Sequence, residues 1–259
     1  MKIKNKFLFF ILFVSGCYTV PEIGRSAFTL IPEETLVSQS QLAFVQLKKD
    51  SNISYNSNYN NRVRRVGKRI TEIASRDLGY LNWEYVVFED DSQLNAFAMP
   101  GGKIGVYSGL IKFIASDDEL AAVLGHEVAH VAARHSNQQV SLQMGLAAAG
   151  AIGGFLAKDM DETTKEIVYA LSGVGGQLGS LRYSRAHEME ADNLGLTYMS
   201  LAGYNPQAAI AFWQKMIHHS KMRKVPTILS SHPAEPDRLR HLQSILPNAM
   251  LIYQNNRYR

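Results

Sequence analysis

The pentapeptide HEVAH, from His126 to His130, has the residue types and the spacing of a metal site. Residues four apart lie on one face of an α-helix, so both imidazoles can reach a single ion. Zinc takes nitrogen ligands at about 2.0–2.1 Å in tetrahedral geometry, and this pair supplies two of them. Glu127 lies beside the first histidine, where a carboxylate can take a proton from a metal-activated water. The motif therefore predicts the zinc ligands His126 and His130 and the general base Glu127 of a metallohydrolase.

A catalytic zinc of this type needs a third protein ligand, and the segment 183–203 offers the best candidates. Glu188 and Asp192 are four residues apart and share a helix face, whereas Glu190 points elsewhere. One of the two carboxylates can bind the metal while the other accepts a hydrogen bond from a ligand imidazole. His187 is a rival ligand on a different face from Asp192.

The segment around HEVAH has the signals of a buried helix. Ser116 is a predicted N-cap, and the three acidic residues that follow it suit the positive end of the helix dipole. Small and apolar residues then surround the histidines. Buried His and Glu side chains without partners would be costly, which favours a metal site over a chance match.

The motif HEVAH, followed downstream by E-x-x-x-D in the phrase SRAHEMEAD, resembles the gluzincin metallopeptidases of the HtpX, BepA and LoiP kind. That family also includes the CAAX prenyl endopeptidases. The resemblance covers roughly residues 60–245. It implies a zincin-like metallopeptidase domain with one zinc ion per chain, in which Glu188 is the third zinc ligand and Asp192 supports a ligand histidine.

Two further stretches match the same family. Residues 95–111 resemble the strand that precedes the catalytic helix and lines the substrate cleft. The resemblance implies that the first five of them bind substrate: Asn95, Ala96, Phe97, Ala98 and Met99. Residues 230–242 resemble a late His-Pro motif followed by an arginine. By that resemblance His232 and Arg238 lie near the zinc and stabilise the oxyanion, or His232 keeps the enzyme latent by occupying the open zinc position. Tyr183 is a second oxyanion candidate, because a phenol can donate a hydrogen bond to developing charge.

The N-terminus resembles a bacterial lipoprotein signal. Three lysines within the first six residues precede an apolar run, residues 7–14, that is too short to span a bilayer. Small residues then lead to Cys17, the only cysteine. The pattern predicts removal of residues 1–16 and lipidation of Cys17, with an uncleaved signal anchor as the alternative. Tyr18, rather than Asp, after the cysteine favours the inner leaflet of the outer membrane, with the protein facing the periplasm.

Removal of the signal also changes the charge argument. The whole chain has a formal net charge of +4, but residues 1–16 contain three lysines and no acidic residue. The mature chain is therefore near neutral. Its composition gives no reason to expect nucleic acid as a partner.

Periodicity and turn residues predict a mainly helical α+β fold with one small β-sheet beside the active-site helix. Helices are expected at 35–48 and 61–78, with a polar loop at 51–61 between them, and strands at 83–89, 96–99 and 103–107. The expected organisation is a signal peptide at 1–16, a lipidated cysteine, tether and N-terminal helix at 17–60, a zinc metallopeptidase domain at 61–246, and a C-terminal tail at 247–259. Residues 20–32 form the tether.

One apolar segment, residues 140–157, allows more than one interpretation. It is rich in Gly and Ala, and its length is marginal for a membrane span. The alternatives to a membrane span are a lid over the cleft, core packing or a dip into the membrane surface. A lid or core packing is favoured over a span.

Together these patterns predict a zinc metalloendopeptidase that degrades unfolded or misassembled cell-envelope proteins. The main alternative is a chaperone-like assembly factor for outer-membrane proteins, which would associate with the assembly machinery and keep its zinc site mostly latent. A zinc-stabilised scaffold is a third possibility, but a structural zinc site has no need of a base such as Glu127.

Overall fold

The computed structural model describes residues 16–21, 23–157, 183–222, 225–233 and 236–257, with the backbone alone described at residues 16, 17, 147–157 and 257. The strands are β1 (Gly16–Thr19), β2 (Ser26–Thr29), β3 (Glu84–Phe88), β4 (Ala96–Met99) and β5 (Lys103–Tyr107). The helices are α1 (Glu33–Asp50), α2 (Ser57–Leu78), α3 (Ser108–Phe113), α4 (Asp117–Ala132), α5 (His135–Ala157), α6 (Arg185–Leu201), α7 (Gln207–Met222), α8 (Thr227–Ser231) and α9 (Pro236–Arg257). The fold is mainly helical with small sheets, which confirms the predicted fold class.

A three-stranded sheet lies between two groups of helices. Its strand order is β3-β5-β4, with β3 parallel and β4 antiparallel to the central strand β5. Successive side chains of a strand point to opposite faces. Ala96 and Ala98 accordingly pack into the main core with α2 and α4, while Phe97 and Met99 pack into a second cluster with α1.

The turn between β4 and β5 contains two glycines in the left-handed region. Gly101 and Gly102 have φ angles of 79° and 81°, which residues with a Cβ adopt at a cost. The tight turn fixes the register that pairs Met99 with Lys103. It leaves β4 at the edge of the sheet, alongside α4.

Helix α2 begins earlier than its apolar spacing predicts. The expected loop at 51–61 ends at Asn56, whose side chain accepts hydrogen bonds from the backbone N–H groups of Asn58 and Tyr59. This cap satisfies two N–H groups that lack partners within the helix, so the helix extends through a polar first turn that has no hydrophobic signal. The opposite face buries Val63, Val66 and Ile70.

The described segments nearest to each end of the chain contain regular secondary structure. The predicted tether at 20–32 contains β2, which pairs with β1 as an antiparallel hairpin and opposes Cys17 to Phe28. The predicted C-terminal tail at 247–259 is helical through residue 257, because α9 continues past Pro247. Residues 1–15, which make up nearly all of the predicted signal peptide, lie outside the described residues.

The ambiguous apolar segment at 140–157 belongs to α5. No helix in the part of the chain described here is long and apolar enough to cross a membrane. Leu142, Met144 and Leu146 of this helix are exposed.

Candidate metal centre

Helix α4 places the HEVAH residues in the core of the molecule. The Ser116 side chain caps the helix by accepting a hydrogen bond from the backbone N–H of Glu119, as predicted. The small and apolar residues of α4 pack against α2, α6 and β4. His126, Glu127 and His130 are each at most 3% exposed.

Two glycines allow α6 to approach α4 closely. A Cβ at Gly125 would lie 2.9 Å from the carbonyl oxygen of Gly195, and a Cβ at Gly195 would lie 2.9 Å from the backbone nitrogen of His126. Such distances are shorter than real Cβ atoms show, so only glycine fits at either position. The close approach brings Glu188 and Asp192 of α6 beside the two histidines of α4.

The structure brings four possible ligands, His126, His130, Glu188 and His232, into one buried cluster. One ligand atom from each lies within 4.8 Å of the others. The Nε2 atoms of His126 and His130 are 3.0 Å apart, and Glu188 oxygens lie 3.4 Å and 3.5 Å from these two atoms. Ligands about 2.05 Å from a tetrahedral zinc would be separated by about 3.3 Å. The donor set and its spacing therefore fit zinc.

His232 lies against both the cluster and Glu127. Its Nδ1 is 3.2 Å from His126 Nε2 and 3.0 Å from Glu188 Oε1. Its Nε2 is 3.2 Å from Glu127 Oε1. A single ring can therefore face the metal position with one nitrogen and the carboxylate of Glu127 with the other.

Asp192 and Arg238 form a buried support beneath the cluster. Asp192 Oδ1 is 3.0 Å from His126 Nδ1, the ring nitrogen that faces away from the cluster. Arg238 donates two parallel hydrogen bonds of 2.8 Å to Asp192, and its Nη1 lies 2.7 Å from Glu188 Oε2. Its guanidinium also stacks over Trp213, at 4.0 Å from the ring centroid. The arginine thus fixes two carboxylates relative to each other.

These contacts set the charges of the cluster in the metal-free protein. Burial raises the pKa of Glu188, but the charges of His232 and Arg238 and the hydrogen bonds from the other histidines lower it by more, so Glu188 is ionised. Burial lowers the pKa of His130 well below its usual value. Burial and the Arg238 charge also lower the pKa of His126, but hydrogen bonds to Asp192 and Glu188 outweigh them and raise it to about 9.

The remaining candidates on or near α6 lie outside the cluster. His187 stacks on His135, with ring centroids 4.4 Å apart. Glu190 contacts His135 and Arg25. Tyr183 stacks on His130 at 4.0 Å, and its hydroxyl, whose pKa is raised by burial, contacts Ser136 rather than the cluster.

The predicted substrate-binding residues, Asn95 to Met99, lie at the edge of the sheet beside the active-site helix. Within the described ranges β4 pairs with β5 alone, so its other edge has backbone groups without a strand partner. The side chains of residues 96–99 are buried. A peptide could pair with this edge through backbone hydrogen bonds only.

A cleft of about 290 Å³ opens next to the cluster. Its described lining includes Tyr183, Glu188, Pro233 and Arg238, together with the exposed Arg185. The cleft gives a path from solvent to one wall of the metal centre.

Two residues that contact the metal centre were not predicted from the sequence: His135, which contacts His130, and Trp213, which contacts Arg238. His135 is fully buried, and its Nδ1 lies 2.8 Å from His130 Nδ1. A histidine five residues after His130, directly after Arg134, was the available signal. Trp213 comes from α7, and its contact with Arg238 depends on tertiary packing alone.

Two histidines one helical turn apart, a glutamate next to the first of them and a third ligand from a second helix constitute the arrangement of a zinc metallopeptidase. The surrounding mainly helical domain, with a small sheet beside the first helix, is of the zincin-like kind.

The chain belongs to peptidase family M48, whose family model matches residues 57–246. Members of this family use zinc, and the buried cluster described above is the metal-binding site. The family resemblance inferred from the motifs and the prediction of a zinc site are thereby confirmed.

Named relatives include a mitochondrial metalloendopeptidase OMA1 of Schizosaccharomyces pombe, which is 36% identical over 73% of this chain and 53% of its own length. A beta-barrel assembly-enhancing protease of Yersinia pestis is 28% identical over 85% of this chain and 46% of its own length. The OMA1 of Saccharomyces cerevisiae is 31% identical over 75% of this chain and 58% of its own length. The chain thus spans about half the length of the curated relatives it matches.

Proposed function

We propose that this chain is a zinc metalloendopeptidase that cleaves unfolded or misassembled proteins of the bacterial cell envelope. The observation on which the proposal rests is the position of Glu127, next to a cluster whose donor atoms have the spacing of a tetrahedral zinc site. A purely structural zinc site would not require a buried carboxylate at this position.

We propose His126, His130 and Glu188 as the zinc ligands. Zinc, when bound there, lowers the pKa of a water molecule and polarises the scissile carbonyl. Glu127 accepts the proton of the attacking water and delivers it to the leaving amine. Asp192 accepts a hydrogen bond from His126 Nδ1 and fixes the ring orientation, which leaves Nε2 free to bind the metal.

Arg238 acts as a positioning residue in this proposal. Its Nε and Nη2 donate to Asp192, its Nη1 is in ion-pair contact with Glu188, and Trp213 covers one face of the guanidinium. These contacts favour a role in orienting the carboxylates over direct donation to the substrate oxyanion, the role first considered for it.

The free edge of β4 supports a substrate in extended form. Backbone hydrogen bonds to a strand edge tolerate many side-chain sequences, and unfolded chains can adopt the required conformation. Most extended segments of folded proteins are already paired within a sheet, so unfolded proteins are the proposed substrate class.

Cleavage of a matched pair of substrates tests the proposal. One protein is offered in its native state and in a reduced, permanently unfolded state, and the products are analysed by mass spectrometry. We expect internal cleavage of the unfolded form only, loss of activity with a zinc chelator and recovery on addition of zinc. Equal cleavage of both forms would refute the substrate class, and chelator-resistant cleavage would refute the zinc mechanism.

We further propose that lipidated Cys17 anchors the protein to the inner leaflet of the outer membrane, facing the periplasm. The support is the lysine-rich start, the short apolar run and the small residues before Cys17. Cys17→Ser should abolish labelling with radioactive palmitate and leave residues 1–16 attached, as measured by intact mass. Persistent labelling of the serine variant would contradict lipidation at Cys17. Localisation to another compartment would contradict the proposed location at the outer membrane.

His232 favours a second candidate function, that of an assembly factor whose zinc site is mostly latent. Its Nδ1 lies at ligand spacing from both His126 and Glu188, so it can take the fourth position and exclude the nucleophilic water. The similarity to beta-barrel assembly-enhancing proteases is in keeping with this function.

His232→Ala distinguishes the two roles of this histidine, with the exposed His218→Ala on α7 as control. A latency ligand predicts unchanged zinc content and faster basal cleavage. An oxyanion donor predicts a loss in kcat of roughly 10²–10³-fold. Unchanged cleavage would eliminate both roles.

A further inference from the structure

We propose that His135 and Glu190 form a relay that orients the zinc ligand His130 and connects it to Arg25 of the N-terminal hairpin. His135 Nδ1 lies 2.8 Å from His130 Nδ1, and His135 Nε2 lies 3.1 Å from Glu190 Oε2. Arg25 donates two hydrogen bonds to the Glu190 carboxylate, at 2.6 Å and 2.8 Å. The proposal rests on the zinc-binding role proposed for His130.

The hydrogen positions along this relay follow from metal binding. His130 faces the cluster with Nε2, so that nitrogen must present a lone pair, and the ring proton is on Nδ1. That N–H donates to His135 Nδ1, which must then be an acceptor. The proton of His135 is accordingly on Nε2 and donates to Glu190. Each donor faces an acceptor, from the metal position to the ion pair with Arg25.

Packing restricts both rings of the relay to this orientation. Tyr183 stacks on His130 with ring planes 24° apart, and His187 stacks on His135 with ring planes 20° apart. His135 is fully buried, so water cannot replace its hydrogen-bond partners. A ligand histidine whose second nitrogen has a fixed partner binds its metal more tightly than one that is free to rotate.

The two ligand histidines of α4 thus have different supports. His126 contacts the carboxylate of Asp192 directly, and that carboxylate is paired with Arg238 of the C-terminal helix. His130 reaches a carboxylate through an intervening histidine, and that carboxylate is paired with Arg25 near the N-terminus.

Arg25 makes the hairpin part of the metal centre. It lies between β1 and β2, and it also contacts Gln138 of α5. The hairpin is fixed to the end of α4 by a second contact, a 2.6 Å hydrogen bond from the Tyr18 hydroxyl to the Ala132 carbonyl. Displacement of the hairpin would therefore remove the partner of Glu190 and loosen His130.

Zinc release measures this support directly. His135→Phe keeps a stacking ring but removes both nitrogens, Glu190→Gln removes the charge, and Arg25→Ala removes the pairing cation. We expect each variant to bind one zinc at saturation and to release it to a chromogenic chelator roughly 10–100-fold faster than the wild type. The matched control is Glu84→Gln, which removes a carboxylate outside the cluster that is paired with Lys48 and Lys103.

Two further readouts separate a relay from general loosening. The double variant His135→Phe, Glu190→Gln should release zinc no faster than His135→Phe alone, because both changes break one chain of contacts. The visible spectrum of the cobalt-substituted protein should change in His135→Phe and stay unchanged in Glu84→Gln.

The outcomes distinguish this proposal from the one on which it rests. A wild-type chain that binds no zinc would refute the zinc-binding role of His130. A wild-type chain that binds zinc and releases it at the same rate as His135→Phe and Glu190→Gln would refute the relay alone. Additive effects in the double variant would also refute it. Should His135→Phe fail to fold, the partly exposed Arg25→Ala and Glu190→Gln decide the question.

Discussion

At the scale of single residues, Glu188 is distinguished from its neighbours by position rather than by chemistry. Glu188 faces the cluster, whereas His187 and Glu190 face His135. We expect Glu188→Ala to lose zinc and His187→Ala to retain one equivalent, measured by elemental analysis of the purified proteins. Asp192→Ala should keep the site but weaken metal affinity or activity by roughly 10–100-fold. Loss of zinc from His187→Ala, with retention in Glu188→Ala, would reverse the assignment.

The protonation of His126 predicts a pH dependence of zinc binding. The pKa of His126 is raised to about 9 in the metal-free protein, so the ring is protonated at neutral pH. Zinc needs the lone pair of Nε2 and must displace one proton, while His130 is already neutral. The apparent zinc affinity should therefore rise about tenfold per pH unit from pH 7 to 9 and then level off.

Competition with a chelator of known affinity, at several pH values, measures this dependence. Proton release can be measured separately, from the heat of binding in buffers of different ionisation enthalpy. An affinity that is constant between pH 7 and 9, with no proton released, would contradict the protonation of His126.

The sequence was most informative at this scale. The spacings H-E-x-x-H and E-x-x-x-D are helical, and the helix geometry alone determines which side chains share a face. The structure brings His126, His130 and Glu188 together. The spacing paired the two histidines, whereas the choice of Glu188 over Asp192 came from the family resemblance. His135 was missed because its contacts with His130 and Glu190 join α5 to α4 and α6. Such contacts between separate helices cannot be predicted from a local sequence pattern.

At the scale of elements, the metal centre depends on the contact between α4 and α6. Gly195→Ala places a methyl group about 3 Å from the backbone of His126, with no flexible side chain to move aside. We expect α6 to shift, at a cost of about 1–3 kcal/mol in unfolding free energy, and zinc affinity to fall because Glu188 moves with the helix. Denaturant unfolding and zinc competition measure the two effects.

Gly145→Ala on α5 is the matched control. Nothing lies within 4 Å of a Cβ at that position. Alanine is the better helix former, so this variant should be neutral or more stable by up to about 1 kcal/mol. Should Gly195→Ala match this control in stability and zinc affinity, the close helix contact would not be what positions Glu188.

Elements were predicted well where their signal is local. Strands β4 and β5 have the predicted bounds because a Gly-Gly turn separates two short apolar runs. The hairpin at the N-terminus was not predicted, because two strands of four residues each depend on packing against α5 and α4. The first turn of α2 was missed because its cap is polar and its residues make no apolar pattern.

At the scale of the whole molecule, the N-terminal hairpin and the last described helix both contact residues that support the zinc site. Arg25 supports one side through Glu190, and Arg238 supports the other through Asp192. The proposed anchor at Cys17 lies in the same hairpin as Arg25. The membrane-proximal end of the protein and its metal centre would then be parts of one packed unit.

The central claim is that Glu127 is the base of a zinc peptidase, and Glu127→Gln tests it most directly. The change keeps size and hydrogen-bonding capacity but removes the ability to accept the proton. Cleavage of an unfolded protein is measured alongside zinc content, with the exposed Glu72→Gln as control. We expect both variants to bind one zinc, Glu72→Gln to cleave at the wild-type rate, and Glu127→Gln to lose roughly 10²–10⁴-fold in kcat. Near-normal cleavage by zinc-loaded Glu127→Gln would contradict the account.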